Sequence, residues 1–305
     1  MTYHLFANLI TAQGVAANNR GETEGNRTTL PKVFWNGRLH VSVSAEAIRW
    51  AIRYFWQNEE LDLNRRWDEL TQTNEFHDQK YNAETYIDDD VLGYMIARAG
   101  AGGDVSKRRG ALEVTRAVSL ESADKIQITF NSKSGDKGKK GKKDEDSERA
   151  RTSIYSTESI TTRFQWGLAI TPQRLVVPER IISVVESVTK ISNVGGNHAR
   201  FLYDFSPESV IFRWTHHPVP QFLNCFQVDD EDILSATKLV QLLEVEEIPA
   251  EEIWILGGYA FKEEAQDLGE LGCHVYPSLR KGTKALLDQI RQDLNLPMNS
   301  KRRVG

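Results

Sequence analysis

A lysine- and glycine-rich tract, NSKSGDKGKKGKKDEDSERAR at residues 131–151, limits how this chain can fold more than any other segment. It is too polar and too rich in glycine to form a core of its own. The segments on either side, residues 107–130 and 152–171, are extended in character and rich in β-branched and aromatic residues. The sequence therefore predicts a long β-hairpin whose solvated tip is the tract.

The charge of the chain is unevenly distributed. The formal net charge of -5 by itself argues against a nucleic-acid binder. Residues 1–53, however, hold six basic and three acidic side chains, whereas residues 218–299 hold six basic and fifteen acidic ones. Because a polyanion is attracted to local positive charge, we expect it to contact the N-terminal part.

The composition defines the class of protein. With 305 residues and 40% hydrophobic residues, the chain is long enough for two domains or for one large domain with insertions. Cys225 and Cys273 lack the spacing of a zinc site or a disulfide framework, so we expect two buried thiols, no metal and no cofactor. No apolar run reaches membrane length and the N-terminus lacks the pattern of a secretory signal, so we expect a cytoplasmic protein without a membrane partner.

The loop AANNRGETEGNR, residues 16–27, follows a predicted opening strand that ends near Gly14. It gathers amide, guanidinium and glycine backbone donors, which are the groups that contact phosphates and sugars. Ordinary turns are also rich in glycine and asparagine, so composition alone leaves both interpretations open.

A helix is predicted from Ala45 to about Gln57, with Ser44 as its N-cap. Ile48, Ala51, Ile52 and Phe55 share the packing face of this helix. Arg49 and Arg53 lie one turn apart on another face, which either offers charge to a ligand or is an ordinary solvated surface.

A second glycine-containing turn, VGGNHAR at residues 194–200, follows a predicted helix that begins near Pro178. Such a turn forms either an anion-binding nest or a simple helix C-cap at Gly195. Both this turn and the first loop adjoin predicted strands, so the fold could bring them to one surface.

Other motifs favour structural roles. Asp88–Asp90 suit a helix N-terminus better than a magnesium site. His216 and His217 could act as acid and base on RNA, but no positioned carboxylate is evident. LGGYAF, residues 256–261, indicates a strand-to-helix turn, and from about Asp232 the chain alternates helix and strand, as a separate subdomain or as a completion of the first sheet.

Five segments in order, GVAANNRG, LPKVFWNGRLHVSVSAEAIRWAIR, DDDVLGYM, RRGALEV and GGNHARFLYDFSP, resemble the DevR branch of the CRISPR-associated RAMP superfamily. This branch comprises backbone subunits of type I Cascade, and the likeness is to the type I-B "Cas seven" proteins. The resemblance implies an α+β fold with a ferredoxin-like palm of the RNA-recognition-motif type, a finger insertion and a thumb β-hairpin. The implied parts are a palm at 1–57 and 164–305, a finger-like insertion at 58–106, and a thumb-like hairpin at 107–163 with the tract at its tip.

The resemblance also implies a function. A non-catalytic subunit of this kind oligomerises along CRISPR RNA and presents it for pairing with target DNA, and its partners are further copies of itself and other Cascade subunits. The residues predicted to contact RNA are Asn18, Asn19, Arg20, Arg27, Lys32, Arg38, Ser42, Ser44, Arg49, Arg53, Lys107, Arg108, Arg109, Gly195, Gly196, Asn197, His198 and Arg200.

Two alternative functions stay open at this point. One is a metal-dependent ribonuclease that uses Asp88–Asp90 or the loop residues Glu22 and Glu24. The other is a nucleotide-binding sensor built on the C-terminal alternating segment. The lysine- and glycine-rich tract departs from the family pattern, and its role stays open as well.

Overall fold

The computed structural model describes residues 1–17, 23–24, 26–96, 106–133, 153–192, 194, 203–229 and 231–297. The helices are α1 Ala45–Asn58, α2 Ile87–Val91, α3 Arg180–Val188, α4 Thr237–Glu244, α5 Glu263–Glu270 and α6 Leu279–Asp293. The strands of the first half are β1 His4–Thr11, β2 Gly14–Ala17, β3 Thr23–Glu24, β4 Arg27–Thr28, β5 Lys32–Trp35, β6 Arg38–Val43, β7 Arg65–Asp68, β8 Thr73–Phe76, β9 Gly93–Ile96 and β10 Ser106–Arg109. Those of the second half are β11 Leu112–Val114, β12 Ala117–Ser122, β13 Gln127–Lys133, β14 Ser153–Thr162, β15 Phe164–Ile170, β16 Pro207–Thr215, β17 Gln227–Val228, β18 Leu234–Ser235, β19 Ile253–Gly257 and β20 His274–Tyr276.

One large sheet organises these elements. Its strand order is β20-β19-β16-β1-β15-β12-β6-β5, and β11 also pairs with β15. The central strand β1 is antiparallel to both β15 and β16. Because β19 pairs with β16, and β20 with β19, the acidic C-terminal segment completes this sheet.

Both faces of the sheet are covered, because the side chains of a strand alternate between them. On one face Leu5, Ala7 and Leu9 belong to a core that includes buried residues of α1, α3 and α6. On the other face Phe6 and Ile10 belong to a second core that includes buried residues of α4 and α5. No helix in the described ranges has the length and apolar character needed to cross a bilayer.

Helix α1 forms where its cap and periodicity predict. The Ser44 hydroxyl accepts the N–H of Ala47 at 3.1 Å, and the helix then runs to Asn58. The packing face differs by one residue from the prediction: Trp56 is buried, whereas Phe55 is half-buried. Helix α3 ends at Val188, so the prediction that it continues to Gly195 is wrong.

Strands β13 and β14 form an antiparallel hairpin whose register runs from Gln127↔Ser159 to Lys133↔Ser153. It is shorter than the sequence suggests, because β12 pairs instead with β6 and β15 of the large sheet. The tip, residues 134–152, lies outside the described residues. The other edge of β14 pairs with β2 and β4, which makes a second sheet.

The segment between α1 and β11 forms small ladders of its own. Strands β7 and β8 pair with each other, and β9 pairs with β10 from Gly93↔Arg109 to Ile96↔Ser106. The ladder of β9 and β10 spans residues 106 and 107, where the family resemblance places the boundary between finger and thumb.

Candidate nucleic-acid interface

The ends of the first predicted loop are held on one strand. Strand β2 precedes the loop and pairs with β14, with Ala17 opposite Ser159. Strand β4 follows the loop and also pairs with β14, with Arg27 opposite Ser156. The two ends therefore lie on β14 within three residues of each other along that strand. Asn18, Asn19, Arg20 and Glu22 lie outside the described residues, and so does the side chain of Glu24.

Tyr203 fixes the end of the second predicted loop at the same place. Its hydroxyl lies 2.6 Å from the Thr11 hydroxyl and 3.2 Å from the carbonyl oxygens of Ala12 and Thr162. Its ring packs so closely on Gly14 that a Cβ there would lie 3.1 Å from it. Burial raises the pKa of Tyr203, so the hydroxyl stays protonated and able to donate.

The flanks of both loops thus converge where β1 ends and β2 begins. The segment that Tyr203 follows contains Gly195, Gly196, Asn197, His198 and Arg200, all of which lie outside the described residues. The arrangement brings the attachment points of the two loops together, while the contacts of their side chains with RNA remain predictions.

Lys32 and Arg38 lie near the place where β1 ends and β2 begins. Lys32 Nζ is 2.7 Å from Oε2 of Glu158 on β14, and the same carboxylate accepts the N–H of Leu30 at 2.9 Å. Arg38 is exposed and lines an open cavity of about 530 Å³ together with residues of β14 and of the β1–β2 connection. The other charged residues that line this cavity are Glu121, Asp124, Lys125, Asp229 and Asp232. The cavity therefore holds four carboxylates against two cations and is net acidic.

Ser42 and Ser44 are engaged in the fold. Ser42 is 1% exposed and its hydroxyl accepts a hydrogen bond from Arg116 Nη1 at 3.2 Å. Ser44 caps α1. Their hydroxyls therefore stabilise local structure, and a contact of either with RNA stays a prediction.

The arginine face of α1 turns inward, contrary to the open face that the sequence suggested. Arg53 Nε lies 3.3 Å from Oδ2 of Asp88, and only 12% of the Arg53 side chain is exposed. Burial lowers the pKa of Arg53 to about 10, against the opposing effect of Asp88. Arg49 donates to the backbone carbonyl of Leu92. Both side chains hold α1 against the segment that follows it, and their contact with RNA stays a prediction.

Arg108 and Arg109 are also paired. Arg108 Nη2 lies 2.5 Å from Oδ1 of Asp90, which is fully buried, and Arg109 Nη2 lies 2.6 Å from Oε1 of the exposed Glu113. Lys107 is exposed. Arg109 therefore sits in a surface ion pair of small energetic value, whereas Arg108 is fixed by a buried acid.

Asp88–Asp90 lie in α2, where all three carboxylates accept hydrogen bonds. Asp88 accepts the backbone N–H groups of Asn64 and Arg65, and Asp89 accepts Asn64 Nδ2. Burial raises the pKa of Asp89. Asp90 accepts the N–H groups of Val176 and Val177 and pairs with Arg180 at 2.8 Å. The three acids lie in the first turn of a helix, as the structural interpretation predicted. The described residues contain no group of three or more potential ligands suited to a metal ion.

The predicted residues therefore fall into two groups at opposite ends of β15. Strand β12 lies against Phe164 and Gln165, near the loop flanks, whereas β11, which follows Arg109, lies against Leu168–Ile170. Six residues of strand separate these ends by roughly 20 Å. The structure places Arg27, Lys32 and Arg38 near the loop flanks, and it does not place Arg49, Arg53 or Lys107–Arg109 with them.

The other motifs have structural roles. His216 Nδ1 lies 2.9 Å from the carbonyl oxygen of Thr2. Cys225 and Cys273 are buried as expected, and burial raises the pKa of each thiol to about 12. LGGYAF forms the predicted turn after β19: Gly257 has φ 91° and a Cβ there would lie 2.3 Å from the Glu208 carbonyl oxygen.

Two features of this region were not predicted from the sequence. Arg163 joins β14 to β15 beside Tyr203, with Nη1 2.5 Å from Oε2 of Glu208. Ile128, Phe130 and Ile154 share one face of the β13–β14 hairpin, and they are 41%, 69% and 61% exposed. The alternation of apolar and polar residues in ITFNS could have predicted this exposed stripe.

Comparison with known proteins gives consistent likenesses. Residues 10–179 match the family described as "CRISPR-associated negative auto-regulator DevR/Csa2". A relative from Myxococcus xanthus (strain DK1622), "CRISPR-associated protein Cas7/Cst2/DevR", is 40% identical over 272 residues, covering 85% of this chain and 87% of the relative.

Two solved structures share the fold at low sequence identity. A chain of a "CRISPR RNA-guided surveillance complex, pre-nicking" is 10% identical with a TM-score of 0.59, and the match covers 94% of this chain and all of that one. A chain of a "CRISPR RNA-guided surveillance complex" is 12% identical with a TM-score of 0.54, and the match covers 94% of this chain and 99% of that one.

Proposed function

Because this chain belongs to the Cas7/DevR family of CRISPR-associated proteins, we propose that it is a non-catalytic backbone subunit that binds CRISPR RNA. Copies of it line the guide within a type I effector complex and present the guide for pairing with target DNA. The names of the similar structures, which are RNA-guided surveillance complexes, support this assignment. Other subunits of such a complex are its further partners, and its place of action is the cytoplasm.

The arrangement of the central strands supports a ferredoxin-like palm. The order β16-β1-β15-β12 is antiparallel, with α1 between the first pair of strands in sequence and α3 between the last pair. This is the order of a βαββαβ unit. An isolated RNA-recognition motif stacks bases on its open sheet face. In this chain α4 and α5 cover the corresponding face of the large sheet. We therefore assign RNA to the surface formed by β14 and the two loops, 16–27 and 194–200.

The observation that carries the proposal is the convergence of the two loop flanks on β14 and Tyr203, with Arg27, Lys32 and Arg38 nearby. Guides of any sequence are held through phosphates and 2′-hydroxyls, which requires cationic, amide and backbone donors. The two loops supply that inventory.

The β13–β14 hairpin fits the role of the thumb. Its exposed stripe, Ile128, Phe130 and Ile154, offers apolar and aromatic surface of the kind that packs against unstacked bases. Residues 58–106 are the proposed finger. A thumb that inserts between bases from a neighbouring copy would kink the guide at regular intervals.

Titration of the full chain with labelled single-stranded RNA of guide length tests the proposal. Arg20→Glu with Arg27→Glu, one change at each end of the loop, is expected to weaken binding at least tenfold. It should also reduce the slope of log affinity against log salt by about 1.4, because each lost phosphate contact on single-stranded RNA accounts for about 0.7.

The matched control carries the same charge change in the acidic C-terminal segment, at the exposed Lys238 and Lys262. Unchanged affinity in the loop variant, or equal loss in the control, contradicts the assignment. RNA is expected to stay intact during incubation with Mg²⁺. Cleavage that disappears when Glu22 and Glu24 are replaced by glutamine would instead identify a ribonuclease.

A further inference from the structure

We propose that neighbouring copies contact each other by insertion of the β5–β6 hairpin of one copy into an acidic groove of the next. This inference rests on the proposed function, since a backbone that lines a guide requires repeated contact between copies. It assigns that contact to a groove away from the RNA-binding loops and to a hairpin that also carries Lys32 and Arg38, which are predicted to contact RNA.

The acidic groove lies between α1, α3 and the segment that follows α1, and its volume is about 1120 Å³. Apolar side chains, among them Phe55, Leu61 and Ile182, line it together with carboxylates. Four of these carboxylates form no ion pair with any residue in the described ranges: Asp62, Glu84, Glu179 and Glu186.

The cations that line the groove are committed elsewhere. Arg180 pairs with the buried Asp90, and Arg291 lies 3.4 Å from Asp288. Lys190 Nζ lies 6.0 Å from the centre of the Phe55 ring, and the groove keeps an excess of negative charge beside apolar surface. It repels a phosphate backbone and suits a protein segment that is both apolar and basic.

The β5–β6 hairpin of this chain is such a segment. Phe34 and Leu39 face each other across its strands and are 70% and 51% exposed. Its turn at Asn36 and Gly37 has φ of 46° and 80°, the left-handed pair of a tight two-residue hairpin turn, so the tip is compact. Residues 29–45 include no acidic side chain and two basic ones; Lys32 is paired with Glu158 of its own copy, which leaves Arg38 beside the turn as the cation that can meet the groove.

The two surfaces cannot meet within one copy. The hairpin precedes α1, whereas the groove begins at Phe55 near the end of that helix. The helix rises about 15 Å over the ten residues from Ala45 to Phe55, and the hairpin lies beyond the N-terminal end of the helix. Complementary surfaces at different places on one molecule form a head-to-tail contact, which propagates into an open row when its rotation does not close a ring. Such a row is the assembly that a linear guide requires.

Two variants of the full chain test this pairing. Phe34→Glu damages only the hairpin, by placing a carboxylate against the acidic groove. Glu84→Lys with Glu186→Lys damages only the groove. Neither replaces a residue proposed to contact RNA, and RNA affinity is measured for each variant because Phe34 lies between Lys32 and Arg38 in the β5–β6 hairpin. Sedimentation velocity measured with guide-length RNA is expected to show multi-copy assemblies for the unaltered chain and at least tenfold weaker assembly for each variant alone.

A one-to-one mixture of the two variants is the decisive measurement. The Phe34→Glu copy retains an intact groove and the groove variant retains an intact hairpin, so these two surfaces pair; the introduced carboxylate is also attracted to the introduced lysines, and the mixture is therefore expected to recover assembly that neither variant shows alone. The matched control, Glu244→Lys with Glu246→Lys, makes the same charge change at exposed residues outside the groove and should assemble like the unaltered chain.

Several results would overturn the pairing: normal assembly by either variant alone, a mixture without pairs, or loss of assembly in the groove variant but not in Phe34→Glu. The last result would identify a different segment of the neighbouring copy as the occupant. The mixture is also measured without RNA at high protein concentration. Pairing there, in a chain that fails to bind RNA, would contradict the proposed function alone; RNA binding without pairing would contradict this inference alone.

Discussion

Replacement of Asp90 by asparagine distinguishes a structural acid from a catalytic or metal-binding one. The fully buried carboxylate accepts two backbone N–H groups and pairs with two guanidinium groups, at 2.5 Å to Arg108 and 2.8 Å to Arg180. The change to asparagine keeps the shape of the side chain but removes its negative charge. It also places an N–H₂ group where a carboxylate oxygen accepted hydrogen bonds from N–H donors.

The size of the effect follows from this burial. Breaking a buried ion pair from one side costs roughly 3–5 kcal/mol, because the remaining charge stays desolvated without a partner. The Arg108 and Arg180 side chains are only 24% and 12% exposed, so water replaces little of the lost interaction. A chain of 305 residues has an unfolding entropy of about 0.64 kcal/mol/K, so we expect the thermal midpoint to fall by roughly 5–8 °C.

Asp288→Asn is the matched control for this measurement by calorimetry or circular dichroism. Asp288 also pairs with two cations, Lys284 and Arg291, but its side chain is 36% exposed. Each surface ion pair contributes about 0–1 kcal/mol, so loss of both should shift the midpoint by no more than about 3 °C. Equal shifts in the two variants, or an unchanged midpoint in Asp90→Asn, would refute the structural role.

Three further predictions concern other parts of the fold. Ser44→Ala removes the cap of α1 and should cost about 1 kcal/mol in a denaturant titration, whereas Ser44→Asp should restore most of it; equal stability of all three would contradict the capping role. Tyr203→Phe removes the hydroxyl that lies near Thr11, Ala12 and Thr162 and should cost about 1–3 kcal/mol, with a parallel loss of RNA affinity if the loop flanks need this anchor. Cys225 and Cys273 should resist a thiol reagent at pH 8 in the folded chain, since burial raises each pKa to about 12. Because folding keeps these thiols protonated, their contribution to the free energy of unfolding is complete below the unfolded pKa of about 8.5 and is lost as pH rises towards 12. If the free energy of unfolding depends on pH in the same way in the Cys→Ala variants, this prediction is contradicted.

Local signals predicted local structure well. The Ser44 cap and the spacing of Ile48, Ala51 and Ile52 fix the start and packing face of α1, because both depend on residues within one or two turns. The tract at 131–151 implied that its flanks must pair, and β13 pairs with β14. The sequence left open where the C-terminal strands would join, which depends on residues far apart in the chain.

The inward turn of Arg49 and Arg53 shows why the site was harder to predict. Periodicity indicates that two side chains share a face but not what packs on that face. The partner of Arg53 is Asp88, which is 35 residues away and follows a polar segment without clear periodicity. To predict that the cations do not share a single groove would have required knowledge that β11 and β12 meet β15 at opposite ends.

The ladder between β13 and β14 makes the far end of that hairpin a natural place for engineering. The pairing extends to Lys133 and Ser153, so the strands are aligned by their own register and not by the connection between them. Closing a longer connection adds only about 0.6 kcal/mol for each doubling of its length. A fluorescent or affinity tag could be spliced between these two residues at little cost to folding.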